Sequence, residues 1–227
     1  VFRRDMTVVH SRSGRSLRLS NSKRLFAQER ETVDEAHPGD VVGIVGNHDL
    51  RIGDTLSEEA GVVFDEMPAF PPECFAFLHN DSTANFKRFR EGLAQLLKEG
   101  VAQPYELADA LVRVPLLGAV GSLQFDVLQY RLQTEYGAAS RLETASWSVI
   151  RWLREPGAAE PAGARPGPAP RPAVQLPSGV ALARDAFGDW VALFPSDWSA
   201  RYFNEANAGW ETSPLPFARH GRATERD

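Results

Sequence analysis

Between residues 5 and 56 apolar side chains recur at every second position over short runs: "MTVVHS", "SLRLS", "RLFAQ", then "DVVGIVG" leading to "IGDTL". A period of two is that of half-buried strands. Arg12-Ser13-Gly14, His37-Pro38-Gly39 and Asn47-His48-Asp49 supply turn residues between them. Short antiparallel strands at this spacing predict a small β-barrel, which must close to hide its edges. Four or five strands are few for closure, and the first residue is Val rather than Met. Residues 1–67 are therefore read as the C-terminal part of an antiparallel barrel whose missing strands are expected before Val1.

From about Pro68 the period lengthens. "FPPECFAFLHN" predicts a strand, and "NDSTANFKRFREGLAQLLKEG" places Phe86, Phe89, Leu93, Leu96 and Leu97 on one helical stripe. Asn80, Asp81 or Ser82 is expected to cap that helix and Gly100 to stop it. "ALVRVPLLGAVG" reads as extended. Ser122 opens a second helix, "SLQFDVLQYRLQTEYG", whose Phe125, Leu128 and Leu132 are assigned to the core and which Gly137 closes. "RLETASWSVIRWL" returns as one strand. The order over residues 68–154 is that of a ferredoxin-like α/β sandwich, making the fold class α+β.

Residues 155–179 hold seven prolines among alanines and glycines, a composition that denies helix and sheet and reads as a linker or insertion. Beyond it, "VALARDAFGDWVALF" predicts a hairpin turning near Gly188-Asp189. "SDWSARYFNEAN" predicts an amphipathic helix with Trp198 and Tyr202 four apart, and "WETSPLPF" a final extended piece. Residues 180–218 are expected to complete the α/β domain, and residues 219–227 to form a disordered tail.

Composition fits one or two globular domains: of 227 residues, 43% are hydrophobic and 24% charged. The single cysteine, Cys74, excludes an intramolecular disulfide framework, fits a reducing cytoplasm, and lies in the apolar run "ECFAFL" as a buried structural thiol. No apolar run approaches the roughly 20 residues of a membrane helix, and no signal-peptide core is present. The net charge is −5 but is unevenly spread. Arg3, Arg4, Arg12, Arg15, Arg18, Lys23, Arg24 and Arg30 face only Asp5 and Glu29 in the first thirty residues, eight against two, or +6. An acidic stretch follows, from Glu31 to Glu66. A basic block on an acidic chain serves equally as a phosphate-contact surface or as a solvated arginine-rich face.

Gly46-Asn47-His48-Asp49 matches a string that dinuclear metallophosphatases use beside their metal pair. Such a site needs further convergent carboxylate and imidazole ligands. His10 and His37 lack an Asp two residues upstream, and His79 and His220 stand alone. The string is read instead as turn geometry, with Gly46 free to take positive φ and Asn47 able to bond its own backbone.

"EAHPGDVVGIVGNHDLRIGDTL" resembles the end of the barrel domain of translational GTPases, with its Pro-Gly-Asp before a hydrophobic strand and its Gly-Asp-Thr-Leu a dozen residues later. "LLGAVGSLQFDVLQYRLQTEYG" resembles more specifically the third domain of the peptide chain release factor 3 family, and "GLAQLLKEGVAQPY" is similar to the first helix and following strand of that domain. The resemblance covers residues 1 to about 153 well and the last fifty loosely. It implies turn roles for Gly39, Asp40, Gly46, Asn47, Gly53, Asp54, Gly118 and Gly121. It implies a monomeric cytoplasmic protein without membrane contact, whose partners are the ribosome (its RNA and a small-subunit protein) and, functionally, the codon-reading release factors. Arg12, Arg15, Arg18, Lys23 and Arg24, placed around the "SRSGRS" tip, are the groups expected to face RNA.

GTP or GDP is implied for the whole family member, in an N-terminal domain. A phosphate-cradling G-x-x-x-x-G-K-S/T does not occur in this sequence. Asp185-Ala186-Phe187-Gly188 imitates a GTPase switch but sits where a hairpin is predicted. The chain itself is therefore expected to hold no catalytic residue, cofactor or metal. The corresponding part of elongation factor G or of a ribosomal protection protein is the alternative, against which "GAVGSLQFDV" speaks; an independent metallohydrolase is the remote one.

Overall fold

The computed structural model describes residues 1–11, 13–19, 22–26, 29–32, 34–44, 50, 52–64, 70–110, 114–155, 157 and 170–217. The chain divides into two compact units, Val1–Met67 and Pro68–Asp227.

The first unit is built of short strands: β1 (Phe2–Arg3), β2 (Thr7–His10), β3 (Arg15–Arg18), β4 (Ser22–Phe26), β5 (Glu29–Thr32), β6 (Glu35–Ala36), β7 (Val42–Ile44) and β8 (Leu56–Ser57). Their antiparallel pairings make three small sheets, β1-β6, β3-β2-β8 and β5-β4-β7. Among the described residues no ladder joins these sheets into one continuous barrel wall. Alternation in β2 buries Val8 and His10, and Leu19 and Ala36 are buried as well. An apolar hollow of about 360 Å³ remains, lined by Phe2, Met6, Val8, Leu19, Ile44 and Leu56 among others.

The second unit begins with β9 (Cys74–Asn80), α1 (Phe86–Lys98), β10 (Gln103–Leu107), β11 (Leu116–Ala119), α2 (Leu123–Tyr136) and β12 (Ser140–Thr144). These four strands lie in the order β12-β9-β11-β10, each antiparallel to its neighbours. The sheet continues from β10 through β14 (Ala181–Arg184), β15 (Trp190–Phe194), β13 (Val149–Arg154) and β16 (Glu211–Ser213), with α3 (Asp197–Ala206) following β15. "RLETASWSVIRWL" is thus two strands. It breaks between Thr144 and Val149, where Ala145 N–H reaches the Phe75 carbonyl and Ser148 N–H the Phe194 carbonyl. The break sends β12 to one edge of the sheet and β13 to the far side, between β15 and the edge strand β16. Residues 180–213 pair with β13 and β10 to form a second half of the sheet with its own helix.

Strand alternation creates three cores. Ala76, Leu78, Leu117 and Ala119 face Phe89, Leu93 and Leu96 of α1 and Phe125, Leu128 and Leu132 of α2. The opposite side of the same strands, Phe75, Tyr105 and Leu116, meets Ile150, Trp152, Ala183, Val191 and Leu193, so the two halves of the sheet face one another across a shared interior. Leu182, Trp190, Ala192 and Phe194 then pack against Ala200 and Phe203 of α3. All five residues of β15 are buried because both its faces are covered.

The start of α1 differs from expectation. Asn80 bonds the backbone of Ser82 rather than capping, a short 3-10 turn covers Thr83–Asn85, and no side chain caps α1. Phe86, the first residue of α1, is 57% exposed and does not join the buried stripe of Phe89, Leu93 and Leu96. Gly100 at φ +76° and Gly137 at φ +62° end α1 and α2 in the left-handed conformation that glycine adopts without a Cβ clash.

Candidate functional site

Among the described residues the basic N-terminal block is spread over several strands. In the β2–β3 hairpin Thr7 faces Arg18 and His10 faces Arg15, and the turn between them closes with Gly14 N–H on the His10 carbonyl at 2.8 Å and Gly14 at φ +66°. Arg15 opens β3 beside the tip. Arg18 lies three residues along the strand, about 10 Å away at 3.3 Å per residue, and its guanidinium is 3.4 Å from Asp5. Lys23 and Arg24 belong to β4, in another sheet. Of the five cations expected around one tip, Arg15 adjoins it, Arg18 lies further along β3, and Lys23 and Arg24 sit on a strand of a different sheet. Arg12 lies outside the described residues, as do Gly46 and Asn47. Arg3 and Arg4 pair with Glu35 and Asp34, so acids of the same unit offset part of the basic block. Among the described residues Arg15 has no ion-pair partner.

Sequence reasoning missed the group beneath that tip. The His10 ring is 3% exposed. Its Nδ1 is 2.8 Å from Ser13 Oγ, and its Nε2 is 2.8 Å from Asp54 Oδ2, too poorly aligned for a straight hydrogen bond. Ser13 Oγ also accepts the Arg15 N–H at 3.4 Å, and Ser11 N–H binds the Thr55 carbonyl. The Asp of Gly-Asp-Thr-Leu thus lies against the His10 ring while the Thr55 carbonyl ties that segment to the hairpin, and Gly53 takes φ +88° in the turn just before them. In the Pro-Gly-Asp stretch, Pro38 precedes Gly39 at φ +97°, as a type II turn requires, and Asp40 accepts the His37 N–H through Oδ2.

In the second unit the Gly-Ala-Val-Gly stretch joins β11 to α2. Gly118 is not a turn residue. It lies inside β11, where a Cβ would meet the Tyr105 ring at 2.8 Å and Pro72 at 2.9 Å. Gly121 occupies the bend itself. Gln124 Oε1 accepts the N–H groups of Val120 and Gly121 while its Nε2 donates to the Val101 carbonyl, fixing the helix start to the α1–β10 connection. Phe125, Leu128 and Leu132 are buried beneath it. The outer face of α2 leaves Leu123, Val127 and Tyr130 exposed, and on α3 Trp198 stacks on Tyr202 at 5.8 Å in the open.

The two chemically suggestive motifs have structural partners. Asp185 accepts the N–H groups of Phe187 and Asp189 and the indole N–H of Trp152, and Gly188 at φ +89° completes the β14–β15 hairpin. Cys74 is half-buried; burial, then the charge of Glu73, pushes its thiol up, which keeps it protonated and poorly nucleophilic. Among the described residues no three His, Cys, Asp or Glu side chains converge, and no helix is long and apolar enough to cross a membrane.

Comparison with known proteins follows the same division. Residues 64–204 match the family "Class II release factor RF3, C-terminal domain" and residues 1–59 match "Elongation factor G domain 2". Among curated relatives, "Peptide chain release factor 3" of Synechococcus elongatus is 41% identical over 88% of this chain and 34% of its own length. That of Acaryochloris marina is 38% identical over 94% of the chain and 38% of its own, and that of Gloeobacter violaceus 46% over 67% and 29%. The chain spans about a third of the length of these relatives. A crystal structure from Thermus thermophilus shares the fold of 69% of the chain, covering 25% of that protein, with a TM-score of 0.52 at 20% identity. Well over half of the sequence falls within the first match, and the chain belongs to the class II release factor RF3 family.

Proposed function

We propose that this chain is the ribosome-gripping region of a translation-termination factor that promotes departure of codon-reading release factors from the ribosome. The observation that carries this reading is the RF3 family match across residues 64–204, which takes in the Gly118–Gln124 junction. The β9-α1-β10-β11-α2-β12 order supports a ferredoxin-like reading of the first half of the second unit. The Elongation factor G domain 2 match supports a barrel-type reading of the first unit. GTP binding and hydrolysis are assigned to the remaining length of such a protein. A barrel beside a nucleotide domain reads the γ-phosphate state as rigid-body movement. The two units would then supply the surface that holds ribosomal RNA and a small-subunit protein, as a cytoplasmic monomer.

Co-sedimentation of this chain with purified ribosomes, across a salt series, tests the reading. Saturable binding that weakens as salt rises is expected of phosphate contacts. A chain that stays in the supernatant at low salt would sink it.

A further inference from the structure

We propose that His10 is a positioning residue: braced by Asp54 and bonded to Ser13, it fixes the backbone from which Arg15 presents its guanidinium to RNA phosphates. This rests on the ribosome-binding reading above and adds to it the device that orders the contact.

A buried imidazole between a carboxylate and a hydroxyl costs desolvation that an apolar side chain at the same β2 position would avoid. Its neighbour on that face, Val8, is apolar, so filling the interior does not require a histidine. The ring instead forms a hub. Ser13 Oγ lies on one side, Asp54 Oδ2 on the other, and the His10 carbonyl receives Gly14 N–H across the turn. Arg15 is the cross-strand partner of His10, and its own N–H reaches the same Ser13 hydroxyl. The backbone that carries the Arg15 side chain is thereby held from two directions.

This matters because the guanidiniums of Arg3, Arg4 and Arg18 have carboxylate partners in the same unit. Arg15 is exposed and, among the described residues, unpaired. A guanidinium on a fixed stem loses less freedom on meeting a phosphate than one on a wandering turn. The hydroxyl of Ser13 is also used as a turn acceptor, so Ser13–His10–Asp54, despite its nucleophile-like composition, serves geometry.

The experiment uses this chain and its variants Ser13→Ala and Ser13→Thr, because Ser13 is exposed and its replacement leaves the His10 side chain itself in place. Three quantities are measured: amide hydrogen exchange at Gly14 and Arg15, thermal unfolding, and ribosome affinity over a salt series. Ser13→Ala is expected to hasten exchange at both amides and to lower the melting temperature, because it takes the hydrogen bond from a buried ring nitrogen. It should weaken ribosome binding on the order of three- to tenfold, the scale of one hydrogen bond, and Ser13→Thr should restore both. Parent-like exchange in Ser13→Ala overturns the inference whatever the ribosome does. Parent-like affinity in Ser13→Ala overturns it as well. A parent chain that does not bind ribosomes instead overturns the proposed function, an outcome read separately from the variants.

Discussion

The ring of Tyr105 lies where a side chain on Gly118 would begin: a Cβ there would stand 2.8 Å from Tyr105 Cε2, with Pro72 atoms at 2.9 Å on the same side. Tyr105 is only 4% exposed and also packs edge-on against Phe75, so the ring has little room to withdraw. Gly118→Ala is therefore expected to destabilise the second unit by about 1–3 kcal/mol, the usual cost of overpacking. Urea denaturation followed by tryptophan fluorescence measures it. A neutral or stabilising Gly118→Ala would mean that the strand, not the ring, sets the spacing.

Gly92 repeats the relationship between helices. A Cβ on this α1 residue would lie 2.5 Å from Tyr136 Cγ, near the base of the ring, so α1 and α2 must separate to admit it. Alanine is worth about 1 kcal/mol over glycine in a helix interior, yet Gly92→Ala should still lose stability on balance. In a Tyr136→Ala background the obstacle is gone and the same change should become stabilising. This reversal of sign is the test; equal effects in both backgrounds would refute the contact.

Gln124 offers one acceptor to two N–H groups and one donor to the Val101 carbonyl. Gln124→Ala is expected to cost about 1–2 kcal/mol, since Val120 and Gly121 are exposed enough for water to replace part of what is lost. Gln124→Glu keeps the acceptor near a helix N-terminus and should fall between parent and alanine. A glutamate variant as unstable as the alanine would show that the bond to Val101 carries the junction.

Burial, followed by the charge of Asp185, pushes the Tyr105 phenol well above its ordinary value. A raised folded-state pKa means that stability is complete below the unfolded phenol's pKa and is lost as pH rises above it. Phenolate absorbance in an alkaline titration should therefore show the Tyr105 signal appearing only with unfolding. Ionisation of every tyrosine before loss of far-ultraviolet dichroism would contradict this.

Helices were legible because periodicity and glycine stops are local: Phe125, Leu128, Leu132 and Gly137 all lie within one segment. The assembly of the second sheet was not. Whether Ala145–Ser148 bends depends on backbone bonds to Phe75 and Phe194, partners more than forty residues away on either side. The same limit hid the role of Gly118, since a strand glycine facing a distant ring looks in sequence like a turn glycine. His10 also carried no signal: its partners Ser13 and Asp54 meet only when β2 pairs with both β3 and β8. Arginine counting identified a basic block, but strand register decided that Arg18 meets Asp5 while Arg15, among the described residues, meets no carboxylate.

That register separates Arg15 from Arg18. Both sit on β3, yet Arg18 lies beside Asp5, whereas Arg15 adjoins the braced turn. If the turn meets ribosomal RNA, Arg15→Glu should weaken binding about tenfold or more and reduce the salt slope by about one phosphate contact. Arg18→Glu should change affinity by less than about threefold, because an exposed ion pair contributes little and the lost cation was already offset by Asp5. Both proteins should unfold at nearly the parent temperature. Equal losses from the two reversals would point to a diffuse field from the basic block, and a larger loss from Arg18→Glu would move the RNA contact to the other end of the hairpin.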